Sequence, residues 1–235
     1  MTEVSIYGLA LSFIPTAVVI AIMFRWGSVG PTAVYATLRM LVQLLLVGYV
    51  LVFIFETDQW SLIFLVLLVM LLVASWIAIR PLARRDLNQY AMALMAIAFG
   101  GVSTLGLVTQ IVIDVEPWFS PRYVVPLAGM IFAGSMNAVS LAAERFAAEL
   151  ARHEGYSDAR RTAFQAAMIP MTNSLFAVGL VSLPGMMTGQ ILSGVSPLIA
   201  AQYQIVVMTM LFGATGMSVA VYLMLQKSAH DRPAR

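Results

Sequence analysis

The sequence predicts an all-α, polytopic membrane protein of about seven transmembrane helices, with its N-terminus outside and its C-terminus in the cytoplasm. Three observations predict it. Apolar residues make up 61% of the 235-residue chain and charged residues 10%, against roughly 45–50% and 25% in a soluble domain. The apolar residues fall into seven runs, each long enough for a hydrocarbon layer of about 30 Å. Basic residues gather in alternate connections between the runs, which is the pattern that sets orientation in a bilayer. Together these exclude a soluble globular enzyme, a disordered chain and a disulfide-stapled secreted domain.

In chain order the runs are residues 6–24, 33–55, 61–79, 91–113, 123–143, 166–183 and 203–225. Backbone groups in lipid must be satisfied within the segment, and none of the runs alternates as a barrel strand would, so each is expected to be a helix. The first is not a signal peptide: Glu3 stands where a basic region belongs, and no small-residue cleavage site follows. The stretch 188–202 reads either as membrane-embedded or as a loop. Segments 25–32, 80–90, 142–165 and 227–235 hold 11 of the 13 Lys and Arg, whereas 56–60, 114–122 and 184–202 hold only Arg122. The first set is therefore expected in the cytoplasm. Trp60, Trp118 and Tyr123 fall at the outer boundaries, where an aromatic belt belongs. The longest connection, 142–165, is rich in helix formers up to Glu154. Gly155 then reads as a helix stop and Ser157 as the cap of a second helix rising into the membrane. No internal repeat divides the chain, which is expected to form one domain over residues 1–235.

Signatures of enzyme chemistry are missing from the sequence. The single lysine, Lys227, follows Gln226, so no phosphate-cradling Gly-Lys-Ser/Thr loop exists. With no cysteine there is no thiolate metal site. No His-Glu-x-x-His, no Gly-x-Ser-x-Gly and no intramembrane carboxylate occurs, and His153 and His230 read as solvated. No catalytic residue, metal or cofactor is expected in this chain. Arg39 is the one charge within a run, with Gln43 on the same helix face. It either snorkels to the headgroups or pairs with Glu144 or Glu149. Polar residues collect late, at Asn137, Asn173, Gln190, Gln202 and Gln204, and Pro170 and Pro184 bracket the sixth run. Pro184-Gly185-Met186-Met187-Thr188-Gly189 is not expected to continue as a smooth helix. At membrane depth such a break belongs beside protein or an aqueous cavity, and in transporters it marks the substrate site. A plain outer turn is the other reading. The methionines Met186, Met187, Met208 and Met210 offer thioethers to a soft metal or, equally, flexible packing.

Arg39-Met40-Leu41-Val42-Gln43, with Gly48, Tyr49, Leu51 and Phe55 after it, resembles the second span of the FetB-type permeases of ABC transporters. Pro126-Leu127-Ala128-Gly129-Met130, followed by Met136, Asn137 and Leu141, is similar to the start of that family's fifth span. The strongest match runs from Val178 through Leu183-Pro184-Gly185-Met186-Met187-Thr188-Gly189-Gln190-Ile191 to Gly194, Pro197, Ala200 and Tyr203-Gln204. The resemblance covers most of the chain, from Arg39 to about Met210.

It implies a permease subunit of the bacterial inner membrane, a homodimer in the lipid bilayer joined by two copies of a separate cytoplasmic ATPase. That partner would bind ATP and magnesium; no nucleic acid is involved. Bacterial members are associated with iron export and resistance to oxidative stress, and plant relatives with aluminium tolerance. The segment 142–165 is similar to the coupling loop of ABC permeases, with Glu149, Gly155 and Tyr156 at the ATPase and Ile169-Pro170 opening the next span. The spacing from Gly155 to Pro170 departs slightly from the family pattern. The substrate path is then expected around Asn137, Asn173, Pro184, Gly185, Met186, Met187, Thr188, Gln190 and Gln204. Without membrane carboxylate, histidine or cysteine, a complexed metal or polar organic solute suits these residues better than a bare ferrous ion. The competing reading is an ATP-independent carrier or channel, which would call for relay carboxylates in the membrane.

Overall fold

The computed structural model describes residues 5–27, 29–56, 59–152 and 155–230. Glu3, His153 and Glu154 lie outside them, as does the side chain of His230. The described elements are helices, joined by turns and one isolated bridge between Val178 and Ser182. They divide into two compact units, Met1–Glu56 and Thr57–Arg235.

In the first unit, α1 (Ile6–Leu11) starts at Ser5, whose hydroxyl accepts from the Gly8 N–H at 3.1 Å. It stops at Ser12, where the hydroxyl donates to the Leu9 carbonyl at 2.7 Å. Pro15, in the first turn of α2 (Ile14–Arg25), lacks the N–H that would have carried the helix through. α3 (Gly30–Phe55) follows a turn in which Gly27 has φ +66°. Phe24 lies flat against Gly30, where a Cβ would come within 2.9 Å of the ring. Both long helices are predominantly apolar and, of their residues, only Gly30 and Ile54 are buried. Arg39 is half-buried on α3, and Gln43, one turn on, is exposed.

The second unit holds α4 (Trp60–Ala78), α5 (Leu87–Leu107), α6 (Pro121–Ala151), α7 (Tyr156–Ala177), α8 (Gly185–Leu192) and α9 (Pro197–His230). Asp86 caps α5, its carboxylate accepting from the Gln89 N–H at 2.8 Å. α5 runs out through a π-helical turn, Val108–Val112. The core is the seam where α5, α6 and α9 meet, and small residues let the backbones close. Ala93, Ala96, Ala128, Ala142 and Ala214 are fully or almost fully buried. A Cβ on Gly100 would collide with the Ser218 hydroxyl and come within 2.7 Å of the Ala214 carbonyl; one on Gly101 would come within 2.9 Å of Phe132. In lipid, where tails are as apolar as leucine, this close packing replaces the hydrophobic drive between helices.

Among the described residues, six helical stretches are long and apolar enough to cross a membrane: Ile6–Arg25, Gly30–Phe55, Trp60–Ala78, Leu87–Val112, Pro121–Ala151 and Pro197–Lys227. They coincide with six of the seven expected runs. The other run, 166–183, is divided. Its first part is the apolar end of α7, which begins well before it, at Tyr156; its second part is a turn. Pro170 therefore lies inside α7 and does not open a span.

The connection 142–165 also differs from expectation. α6 continues unbroken to Ala151, so no separate short helix precedes the turn. Gly155 is the N-cap of α7, with φ −66° and ψ 153°, and Ser157 is already helical. An extended cap suits glycine without any left-handed backbone, so the residue that looked like a stop is a start.

Candidate functional site

The helix break falls between α7 and α8. Val178 leaves α7 in an extended conformation with ψ 131°, and Gly179 follows with φ +82°. The Gly179 N–H donates to the Ser182 carbonyl at 3.0 Å, and the Val181 N–H to Ala177 at 2.8 Å, closing a tight turn. Leu180 and Val181 stand out from its tip, 91% and 84% exposed. Pro184 then caps α8, and Thr188 donates back to the Pro184 carbonyl at 3.1 Å. Helix α8 is only eight residues long. Its end is a Schellman motif: the Gly194 N–H bonds the Ile191 carbonyl and the Val195 N–H bonds that of Gln190, both at 3.0 Å, with Gly194 at φ +92°. Pro197 opens α9 directly afterwards. The smooth helix that Pro184–Gly189 was expected to forbid is thus broken a few residues earlier, and Gly185, Met186, Met187, Thr188 and Gln190 are helical.

This arrangement leaves two cavities around α8. One, about 430 Å³, is lined by Met186 and Gln190 of α8, by Arg122, Tyr123 and Met130 of α6 and by Tyr203 of α9. The other, about 340 Å³, takes Met187 from α8, Gly179 from the turn, and Gln204 and Met208 from α9. Met186 and Gln190 are four apart and share one face of α8, whereas Met187 belongs to the other. The side-chain oxygens of Gln190 and Gln204 are buried without a hydrogen-bond partner. Nearby, Trp60 and Trp118, expected in the aromatic belt, line one apolar cavity of about 230 Å³.

At the opposite end of the same helices, the end of α6 and the start of α7 are packed. Tyr156 donates its hydroxyl to the Leu223 carbonyl of α9 at 2.8 Å. Its ring meets Phe146 edge-on at 5.9 Å, and Arg160 and Lys227 approach it at 5.4 and 6.0 Å. Glu149 is buried, its carboxylate 2.6 Å from Arg145 Nη2 and 3.5 Å from Arg152 Nη1. Arg145 acts through Nη2 alone; its Nε is buried without an acceptor. Close by, Gln89 of α5 accepts from the Tyr222 hydroxyl at 2.8 Å and from Gln226 at 2.6 Å on α9. Between α7 and α9 a groove of about 830 Å³ is lined by Asp158, Arg160, Arg161, Phe164 and Leu223.

Of the expected path residues, the structure brings Met186, Met187, Gln190 and Gln204 to the two cavities, while Pro184, Gly185 and Thr188 shape α8. Asn137 and Asn173 line neither cavity; both lie on exposed faces of α6 and α7. Asn137 points away from the side of α6 that buries Ser135, Ala138 and Val139. Arg39 and Gln43 belong to the first unit. Glu149, expected at a partner surface, is buried and pairs within α6, and Tyr156, expected there too, is half-buried and reaches Phe146 of α6 and Leu223 of α9. The residues that sequence reasoning passed over are Arg122, Tyr123, Met130 and Tyr203. One signal existed for them: Arg122 is the lone basic residue of its set of connections. Among the described residues no three His, Asp or Glu side chains converge as a metal ion would require.

The description "Uncharacterised protein family (UPF0014)" matches residues 5–157 and 150–229 of the chain. The chain is 34% identical over 203 residues to a UPF0014 membrane protein of Synechocystis, covering 79% of this chain and 78% of that one. It is 32% identical over 211 residues to the "Probable iron export permease protein FetB" of Escherichia coli, covering 83% and 80%. It is 33% identical over 200 residues to the "Protein ALUMINUM SENSITIVE 3" of Arabidopsis thaliana, covering 79% and 72%. No solved structure matches it.

Proposed function

The chain belongs to the UPF0014 family of multi-pass membrane proteins, and from that premise we propose that it is the membrane-spanning permease subunit of an ABC transporter that exports iron or a complexed metal. The observation that carries this reading is the likeness, over most of both chains, to a relative named as an iron export permease. The missing phosphate-binding loop supports it, since ATP and magnesium then belong to a separate ATPase. In this reading the basic connections face the cytoplasm. Two permease copies carry two ATPases, and the α6–α7 turn is where the ATPases push. Tyr156 of α7 ties α6 and α9 together through Phe146 and Leu223, and Glu149 braces the end of α6 through Arg145 and Arg152. A push on the turn would be delivered along α7 and α9 to the broken end, where the cavities open or close. The docking surface is formed by exposed residues beside the turn, such as Asp158, and not by the buried Glu149.

ATP turnover by the complex purified in lipid, with candidate cargoes added, tests the proposal. A co-purifying ATPase whose turnover rises with an iron complex is the expected result. Asp158→Arg, a surface change, is expected to uncouple turnover from cargo while leaving the melting temperature unchanged. Transport that persists without ATP, with no ATPase co-purifying, would replace the proposal with a carrier or channel.

A further inference from the structure

Packing within the second unit leaves one polar group of α6 unexplained. Helix α6 is covered by α4, α5, α7 and α9 along the sides that bury Ser135, Ala138, Val139 and Ala142. Asn137 stands on the strip left open, with exposed Ala133 and Leu141 one turn to either side. Its depth follows from the fold. It lies sixteen residues past Pro121 and fourteen short of Ala151, about 24 and 21 Å at 1.5 Å per residue. One turn before it, a Cβ on Gly134 would come within 3.4 Å of the Thr215 hydroxyl, near the middle of α9. The amide is therefore near the centre of a hydrocarbon layer about 30 Å thick, and its side chain is too short to reach the headgroups. It lines none of the four cavities described and makes no side-chain hydrogen bond among the described residues. Lipid tails cannot satisfy its two donors and its acceptor.

A cytoplasmic partner cannot reach that depth, but a second copy of the chain can. An amide is its own complement: each asparagine donates through its NH₂ and accepts through its carbonyl oxygen, so two on a twofold axis satisfy one another. Asparagine is short, so the two helices have to approach closely. Ala133 and Ser140, one turn before and after Asn137, permit this where leucines would hold the backbones apart. Glu144 is exposed on the same strip, two turns nearer the α6–α7 turn. Crossing helices diverge from their point of contact, which keeps two such carboxylates apart and near headgroup water.

We infer that two copies of this chain meet along the open strip of α6 and cross at Asn137, whose amides pair across a twofold axis in mid-membrane. The inference rests on the two-copy transporter reading and says which face the copies share.

The chain has no cysteine, so one introduced thiol can form a disulfide only between copies. Full-length single-cysteine variants, diluted in phosphatidylcholine vesicles and oxidised with copper phenanthroline, test the face on a denaturing gel. Ala133→Cys and Leu141→Cys keep the amide and are expected to cross-link. Val102→Cys, 53% exposed on α5, is expected not to. In vesicles, single-molecule photobleaching counts the copies without any cross-link. Asn137→Leu is expected to weaken dimerisation about tenfold with the melting temperature unchanged, and Asn137→Gln to recover most of the loss. That rescue separates a paired amide from a fold defect. No cross-link at Ala133 and Leu141, or dimerisation that Asn137→Leu leaves intact, would overturn the inference. So would an intrachain disulfide between Gln43→Cys and Asn137→Cys, since the chain's own exposed α3 amide would then be the partner. Dimers that cross-link only through another face sink this face and keep the two-copy reading. Chains that stay single at every dilution, with the ATPase added, sink both.

Discussion

Helices α6, α7 and α9 make two ends of opposite character from one set of segments. At the α6–α7 end most polar groups find partners, the buried Arg145 Nε excepted: Tyr156 with Leu223, Glu149 with two arginines, Gln89 with Tyr222 and Gln226. At the α7–α8 break, buried amide oxygens of Gln190 and Gln204 find none, and cavities stand beside them. A satisfied polar network rigidifies, whereas an unsatisfied one leaves free energy to be recovered by a ligand or another conformation. The contrast teaches where this molecule is a lever and where it is a gate.

The largest expected effect comes from breaking the stiff end. Glu149→Arg puts a third cation between Arg145 and Arg152 in a buried position. We expect a loss of about 3 kcal/mol, below the full value for a wholly buried pair because both arginines reach solvent. A thermal melt of the reconstituted protein measures it; a loss under about 1 kcal/mol would mean that the turn is not held as described.

The two ends also use glycine differently. Gly194→Val at the break forces a β-branched residue to φ +92°, at an expected cost of about 2 kcal/mol. Gly155→Ala at the turn, where φ is −66° and nothing lies within 4 Å of the new Cβ, is expected to cost only about 0.5 kcal/mol. Equal melting temperatures for the two variants would erase the distinction. Tyr156→Phe keeps the ring against Phe146 and removes only the bond to Leu223, for an expected loss of about 1 kcal/mol in the same melt.

Length and hydropathy made the fold class and six of the spans legible, because apolar runs in lipid have one backbone solution. They misplaced the ends of α7. The helix expected to start from a cap at Ser157 does form, capped two residues early at Gly155, and what hydropathy misjudged is that it continues without interruption through Pro170 and ends at Ala177. The break was legible from Pro184 and its glycines, but its position was decided by Gly179, whose left-handed backbone no pattern of hydropathy encodes. Residue type singled out Met186, Met187, Gln190 and Gln204, which line the two cavities beside α8. It put Asn137 and Asn173 with them because a polar residue in a span draws notice whichever way it faces. Direction depends on helix rotation, which is fixed by the packing of small residues such as Gly100 against Ser218 on distant segments. Glu149 drew notice as a charge for a partner, and only packing shows it turned inward.

The smallest expected effect on stability is the sharpest test of the contrast. Gln204 is 5% exposed and its side-chain oxygen has no donor. Burying such an amide costs about 1–3 kcal/mol, so an apolar side chain of similar length should be neutral or stabilising. Gln204→Met is expected to leave the melting temperature unchanged or raise it by the equivalent of up to about 1 kcal/mol, while lowering cargo-stimulated turnover. The same exchange at Gln226, which hydrogen-bonds Gln89 at the stiff end, is expected to destabilise by about 1–2 kcal/mol, because Gln89 loses a partner. If Gln204→Met also destabilises, the oxygen has a partner after all and the two ends are alike. If it stabilises without touching turnover, the strain at the broken end is real but serves no transport step. Only the combination of gained stability and lost turnover identifies unsatisfied polarity as the reserve that cargo binding draws on.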